Sequence, residues 1–395
     1  MASDSGLRAL LVAEGSGGHL IPALELAHAL ADCGAQVKLW FAQRPQTAEL
    51  VRALTAGATE QGVEVNPIFL GGSRTTLERF WRCGQLWSRS QRCFDTFAPD
   101  VVVGFGGWVS APVVLAARAR GRPTRWWGAP GRTHATRRIR CLLHEQNVAL
   151  GRANRLLARW ADCVAVSFRE TLDELNGTPS VLTGMPVRRA IGQRRHASQA
   201  LPFGFREGLP TLLVLGGSQG SRALNRVVTA MTSLMSPSER AQWQLLHVAG
   251  ATGASRVQQA YARCQMTAWV TPFLPEMERA YAMADLAIAR AGASTIAELA
   301  RAGLPSVLIP YPYAGGHQRA NARMVEVLGG AVVIEESAAT PERLLSTVRR
   351  LLADARLRAM MSEQVRRVGV PDASQRLLQA VLDLCHPAPR GTGTS

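Results

Sequence analysis

Three clusters of polar residues in this chain have the types and spacing to bind a ligand or move a proton. The densest lies in Arg290–Ala322, RAGASTIAELARAGLPSVLIPYPYAGGHQRANA. A small-residue turn at Gly292 and Ala293 admits a ligand close to the backbone. The first turn of the helix expected to follow, Ser294–Glu298, offers unpaired N–H groups and the positive end of a helix dipole to an anionic or polar group. Gly303 and Pro305 should stop that helix. A short apolar strand, Ser306–Pro310, then leads to a glycine-rich loop holding His317, Gln318 and Asn321. Two strand ends thus deliver a carboxylate, an amide and an imidazole to one edge of a sheet. A plainer account competes on equal terms: Thr295 and Glu298 fit a capping box, in which the glutamate serves only its own helix.

The second cluster opens the chain. LRALLVA, residues 7–13, reads as a buried strand, followed by Glu14-Gly-Ser-Gly-Gly-His19 and a helix from about Pro22 to Ala31. The glycines allow close backbone approach, Ser16 adds a hydroxyl, and His19 starts the helix. On pattern alone a lone histidine there is more often a cap or a solvated residue than a catalyst. The spacing is not GxGxxG, so no nicotinamide cofactor is inferred. The third cluster, His144-Glu-Gln-Asn147, ends the strand Cys141–Glu145, where four polar groups are hard to explain as packing. A further glycine turn, GFGGWVSAP, spans residues 104–112.

These clusters must be positioned by the elements around them. Strand-like runs at 36–41, 65–70, 101–104, 141–145 and 162–167 alternate with helical stretches, the signature of an α/β fold with parallel sheets. Thr211–Leu215, then GGSQGS at 216–221 and a helix from about Arg222, repeats the opening scheme of strand, glycine turn and helix. Strands near 244–249, 268–270, 285–289, 306–310 and 331–335 follow. Two doubly wound Rossmann-like domains facing across a cleft are expected, residues 1–184 and 185–370, with TGMPVR at 183–188 as the connection. A last helix, within 371–386 after Pro371, is expected to pack back on the first domain, and residues 387–395 read as a disordered tail.

Composition narrows the classes. A chain of 395 residues, 47% hydrophobic, is ample for two cores. The net charge is +16, and Lys38 is the only lysine. So arginine-heavy a charge is weak evidence for nucleic acid, and no nucleic-acid partner is expected; anionic lipid or phosphorylated substrates suit it as well. Seven scattered cysteines without a CxxC pair argue for a reducing compartment and against a zinc site. No stretch has signal-peptide form or the length to span a bilayer, so a cytoplasmic protein, at most peripheral to a membrane, is expected. In SRTTLERFWRCGQLWSRSQRCFDTF, Phe80, Trp81, Leu86 and Trp87 interleave with Arg79, Arg82, Arg89 and Arg92. The pattern favours a helix with its apolar face in the core over one lying on lipid.

Taken together and in order, GSGGHLIPAL, GFGGWVSAPVV, LLHEQN with NRLLARWAD, GMPVR, VLGGSQGSRALN, and RAGASTIAELARAGLP with HQRANA resemble the MurG family. These glycosyltransferases add N-acetylglucosamine to the lipid-linked muramyl-pentapeptide of peptidoglycan synthesis. The resemblance covers nearly the whole chain and implies a GT-B fold. It also implies UDP-N-acetylglucosamine as donor and the undecaprenyl-diphosphate-linked muramyl-pentapeptide as acceptor, at the cytoplasmic face of the inner membrane. Other proteins of cell-wall synthesis are further candidate partners.

Residue by residue, the resemblance implies that Glu298 holds the ribose hydroxyls while Ala293, Ser294, Thr295, Ile296 and Ala297 line the nucleotide. The backbone of Leu274, in FLPEM, would meet the uracil. Arg188 and Ser218 would lie along the diphosphate, and Gln318 would read the sugar hydroxyls. Ser16, Gly17 and Gly18 would close over the donor, with Asn147 beside the sugar. The reaction would be an inverting displacement by the muramyl 4-hydroxyl, which needs a general base and positive potential at the leaving diphosphate. His19 is the expected base. No cofactor is expected, and no Asp-x-Asp pair offers to hold a metal.

Departures from the family pattern are Glu14 for glycine, Met185 for asparagine, Gly316 for a polar or acidic residue, Ser16 for threonine, and an insertion at 124–141. That insertion enters the strand Cys141–Glu145 at its N-terminal end. It therefore lies roughly 15 Å from HEQN at 3.3 Å per residue, which makes it dispensable for chemistry. The rival readings are a UDP-N-acetylglucosamine epimerase, another lipid-directed GT-B transferase, and a non-catalytic sugar-nucleotide-binding partner of cell-wall assembly.

Overall fold

The computed structural model describes residues 6–43, 48–69, 76–120, 138–193, 202–217, 219–313 and 315–386. Within them the chain divides into two units by its contacts. The first takes the described parts of 1–146, 150–186 and 371–395, and the second takes 147–149 and 187–370.

Seven strands form the sheet of the first unit: β1 (Arg8–Ala13), β2 (Gln36–Gln43), β3 (Val63–Phe69), β4 (Val101–Gly104), β5 (Arg140–Glu145), β6 (Cys163–Val166) and β7 (Ser180–Leu182). Their order is β3-β2-β1-β4-β5-β6-β7, and every pair is parallel. The second sheet, also parallel throughout, has β8 (Thr211–Leu215), β9 (Gln244–Val248), β10 (Ala268–Thr271), β11 (Leu286–Ala289), β12 (Ser306–Leu308) and β13 (Ala331–Val333). Its order is β10-β9-β8-β11-β12-β13. Central strands such as ALLVA in β1 and TLLVL in β8 are buried along their length, the near-continuous apolar run that a sheet covered on both faces requires.

The strand orders locate the ligand edge. In each unit the direction of winding reverses between two central neighbours, β1 and β4 in the first and β8 and β11 in the second. Ligands of doubly wound sheets sit beyond the carboxyl ends at that reversal. The turns there are the glycine-rich ones: residues 14–16 after β1, 105–107 after β4, 216–217 and 219–221 after β8, and 290–292 after β11.

Several elements differ from their expected form. The first helix runs Gly17–Asp32, so it begins five residues before Pro22, with Ser16 as its N-cap. Proline favours the first helical position; here it sits in the second turn, where it lacks the N–H that would bond the carbonyl of Gly18. Strand β7 is a three-residue, largely exposed edge with no periodicity to mark it. His317, Gln318 and Asn321 are not in a loop, because the helix His317–Val327 starts immediately after the left-handed Gly316. The helix Ala373–Cys385 places Leu377 and Val381, both fully buried, in one core with Leu26, Leu30 and Leu39 of the first unit. Residues 121–137, the bulk of the insertion, and the 387–395 tail lie outside the described residues.

A candidate nucleotide and transfer site

In the second unit the site begins with the helix Ala293–Ala302, which leaves β11 through Gly292. Gly292 is its N-cap, and no side chain caps it. The capping box is therefore excluded. Thr295 is the third helical residue, and Glu298 is the sixth rather than part of the first turn, so its carboxylate cannot serve the orphan N–H groups of its own helix. Gly303 ends the helix in a left-handed conformation, as its type and the following Pro305 lead one to expect.

Glu298 is buried, yet it carries a single hydrogen bond among the described residues: Tyr281 Oη donates to its Oε2 at 2.9 Å. Burial raises the carboxyl pKa; the nearby Arg188 guanidinium and the Tyr281 hydroxyl oppose that rise. Arg188 Nη1 donates to the Pro275 carbonyl and lies 3.9 Å from Glu278. Leu274, next to Pro275, is buried. The structure therefore gathers Glu298, Arg188 and the Leu274–Pro275 turn in one neighbourhood of the second unit.

Ala293, Ile296 and Ala297 are buried on the same helix, Thr295 is at the margin of burial, and Ser294 is half-buried. Gln318 Oε1 accepts the Tyr311 N–H at 2.9 Å, which fixes the amide and leaves its NH2 group to donate elsewhere. Asn147, which belongs to the second unit, accepts from Asn321 Nδ2 at 3.1 Å, and Asn321 also bonds the Ala291 carbonyl. Ser218 lies outside the described residues. Its neighbour Ser221 caps the Arg222–Ser233 helix by accepting the Leu224 N–H at 3.2 Å.

In the first unit Ser16 Oγ and His19 Nδ1 are 2.9 Å apart, and Gly17 and Gly18 are the first two residues of the same helix. His19 is half-buried, and burial lowers its imidazole pKa to about 4. Its Nε2 edge faces the second glycine turn: a Cβ built on Gly106 would lie 3.5 Å from Nε2. Glu14, one of the departures from the family pattern, is buried and turns into that same turn, where Oε1 accepts the Trp108 N–H at 3.3 Å. Gly107 has φ +75°, and a Cβ there would meet Glu14 Cγ at 2.0 Å, so the two turns interlock only with glycine at 107.

The HEQN cluster divides. His144, Glu145 and Gln146 are all buried. His144 Nε2 lies 3.2 Å from the Gly184 carbonyl, Gln146 Nε2 is 3.0 Å from His144 Nδ1, and Glu145 Oε2 accepts from Gly151 N and Asn154 Nδ2 at 2.9 and 2.8 Å. Contrary to expectation, then, internal packing and hydrogen bonding do account for three of the four polar residues.

Two residues of the site were not singled out by sequence. Tyr281 is paired with a carboxylate 17 positions on, which no local pattern marks. Arg290 is buried and ties the ligand edge together, donating to Ser221 Oγ at 2.7 Å and to the Ile309 carbonyl at 3.0 Å while pairing with Glu336. A cation at the immediate end of β11, ahead of a glycine turn, was the available signal.

Comparison with known proteins bears on the whole chain. Residues 9–166 match the glycosyltransferase family 28 N-terminal domain and residues 211–377 its C-terminal domain. A Halorhodospira halophila protein is 36% identical over 378 residues, covering 95% of this chain and 98% of its own. A Desulforamulus reducens protein is 32% identical over 383 residues, covering 95% and 98%. Both are named UDP-N-acetylglucosamine–N-acetylmuramyl-(pentapeptide) pyrophosphoryl-undecaprenol N-acetylglucosamine transferase. The chain belongs to the MurG family of glycosyltransferases. The crystal structure of Acinetobacter baumannii MurG aligns with a TM-score of 0.69 at 29% identity, over 95% of this chain and 99% of that one. A Neisseria meningitidis UDP-GlcNAc 2-epimerase reaches 0.66 at 11% identity, a likeness of fold alone. The GT-B class expected from the motifs is thus the class found.

Proposed function

We propose that this MurG-family chain transfers N-acetylglucosamine from UDP-N-acetylglucosamine to the 4-hydroxyl of a lipid-linked N-acetylmuramyl-pentapeptide, with inversion at the anomeric carbon. The observation that carries the donor half is the buried Glu298 carboxylate, one oxygen held by Tyr281 and the other open, beside Arg188 and the Leu274–Pro275 turn. A ribose presents two hydroxyl donors, and a carboxylate held in place is the acceptor that suits them. Leu274 offers backbone to the base, Ala293–Ala297 line the nucleotide, and Ser218 and Arg188 attend the diphosphate. Gln318 uses its free NH2 group on the sugar hydroxyls, with Asn147 beside it.

His19 is the base. Its low pKa leaves the ring neutral at physiological pH. When Nδ1–H donates to Ser16 Oγ, the Nε2 lone pair is free to take the proton of the attacking hydroxyl. The helix that starts at Gly17 and Gly18 carries the positive end of its dipole there, which favours the charge that develops on the departing UDP.

The acceptor's lipid calls for a membrane surface. Among the described residues no helix is long and apolar enough to cross a membrane. The helix Thr76–Thr96 buries Leu86 and Phe94 against the core, as a plain amphipathic helix should, but leaves Trp81 66% and Trp87 37% exposed. Arg82, Arg89 and Arg92 line, together with Trp81, a groove of about 650 Å³. Aromatic rings flanked by arginines suit a lipid interface, where the rings enter the headgroup layer and the arginines meet phosphates. This face is the peripheral contact, on the cytoplasmic side. The Phe80 side chain lies outside the described residues.

Transfer of radiolabel from UDP-N-acetylglucosamine to a lipid-linked muramyl acceptor tests the reading. Epimerised nucleotide sugar without acceptor glycosylation would overturn it.

A further inference from the structure

We infer that Tyr281 is the positioning residue that holds the Glu298 carboxylate for the ribose, and so makes the donor site selective for ribonucleotides. The inference rests on the assignment of Glu298 to the ribose. The hydroxyl of Tyr281 is its only polar group, and it donates to Glu298 Oε2 at 2.9 Å with both residues buried. A buried carboxylate with one hydrogen bond is under-satisfied, since it has room for about four. Tyr281 occupies one position on Oε2 and restrains the carboxylate, while Oε1 has no protein donor among the described residues.

The same tyrosine connects two parts of the site. It lies in the helix Met277–Met283, which begins just after the Leu274–Pro275 turn. Arg188 braces that turn through the Pro275 carbonyl and stands near Glu278 on the same helix. Glu298 lies on the next helix, Ala293–Ala302. The Tyr281–Glu298 bond is therefore the polar tie between the element that presents backbone to a base and the element that presents a carboxylate to a sugar. With that tie the spacing between the two is set before a nucleoside arrives, and less ordering is needed on binding.

Without the hydroxyl the carboxylate keeps its burial and its attraction to Arg188, but it loses the donor that fixes its rotamer. The deficit should fall on ligands that use Glu298 and spare those that do not. That contrast separates positioning from general support of the fold.

The experiment measures calorimetric affinity of the full chain for UDP and for 2′,3′-dideoxyuridine diphosphate, in wild type, Tyr281→Phe and Glu298→Gln. Charge-assisted hydrogen bonds give the wild type a preference for UDP of roughly 10- to 100-fold. Tyr281→Phe should weaken UDP by about 5- to 20-fold and leave the dideoxy ligand within about twofold, so the preference collapses. KM for UDP-N-acetylglucosamine should rise similarly with kcat within a few-fold. Equal weakening of both ligands would make Tyr281 merely structural and overturn the inference. Retention of the preference in Tyr281→Phe, with its loss in Glu298→Gln, would overturn the inference alone. Retention in Glu298→Gln would remove the ribose assignment and the inference with it. Should the phenylalanine variant fail to fold, Tyr281→Met, flexible and without a donor, carries the same expectation.

Discussion

Replacing His19 with alanine tests both the chemistry and the electrostatics of the first unit. A positioned general base contributes about 10²- to 10⁴-fold, so turnover should fall by that factor while UDP affinity stays within a few-fold. The lowered pKa adds a second, independent reading. The interval from 6.5 to about 4 corresponds to roughly 3 kcal/mol of preference for the neutral ring in the folded chain. Because the folded value lies below the unfolded one, the unfolded chain takes up the proton first as the pH falls. The contribution of His19 to stability is therefore complete above about pH 6.5 and is lost progressively down to about pH 4. By pH 5 the loss is roughly 2 kcal/mol, and His19→Ala should be free of it.

Two assays follow. Urea unfolding of wild type and variant at pH 7 and pH 5 should show the wild type losing about 2 kcal/mol relative to the variant. In wild-type kcat/KM profiles with a soluble acceptor analogue, the acid limb attributable to His19 should lie near pH 4, well below the 6.5 of a free imidazole. A limb at 6.5 that disappears in the variant would refute the burial argument. Variant turnover within a few-fold of wild type would refute the base assignment.

Glu298→Ala should weaken UDP by roughly 10- to 100-fold with the fold intact; unchanged affinity by calorimetry would end its role. Trp81→Ser with Trp87→Ser should reduce sedimentation with anionic vesicles while sparing transfer to a soluble acceptor; unaltered sedimentation would discard that face as the lipid contact. Replacing residues 125–137 with a short Gly-Ser linker, which spares the buried Ile139 and the Arg138–Asp162 pair, should leave kinetics for both substrates within a few-fold. A collapse of turnover in a folded variant would mean that the insertion reaches the reacting groups.

The alternation of strands and helices, the two opening motifs and the glycine turns at the strand ends were all readable in the chain, because buried parallel strands and glycine turns write themselves locally. What escaped depends on distant partners. Glu298 looked like a first-turn cap because serine and threonine are the preferred N-caps, whereas the helix begins one turn earlier in effect, from Gly292. The polar run at His144–Gln146 looked like an exposed site because its acceptors and donors, Gly184, Gly151 and Asn154, are separated from it in sequence and meet it only in the folded unit. Likewise Tyr281 reads as one more aromatic in an apolar helix until the next helix brings Glu298 to it. The exposure of Trp81 beside the burial of Leu86 required knowing which side of the helix the sheet covers.

The helix Ala373–Cys385 has a consequence for synthesis. Leu377 and Val381 complete the core of the first unit, but they follow Val187–Val370, the whole main segment of the second, along the chain. At translation rates of roughly 5–20 residues per second, that segment takes about 10–40 s to emerge. During this interval the nascent first unit has a gap over Leu26 and Leu30 that its own later helix must fill, while the second unit can already close. A stalled or prematurely ended chain would thus strand the earlier-made unit unfinished and leave the later-made one whole, the reverse of the usual order of risk.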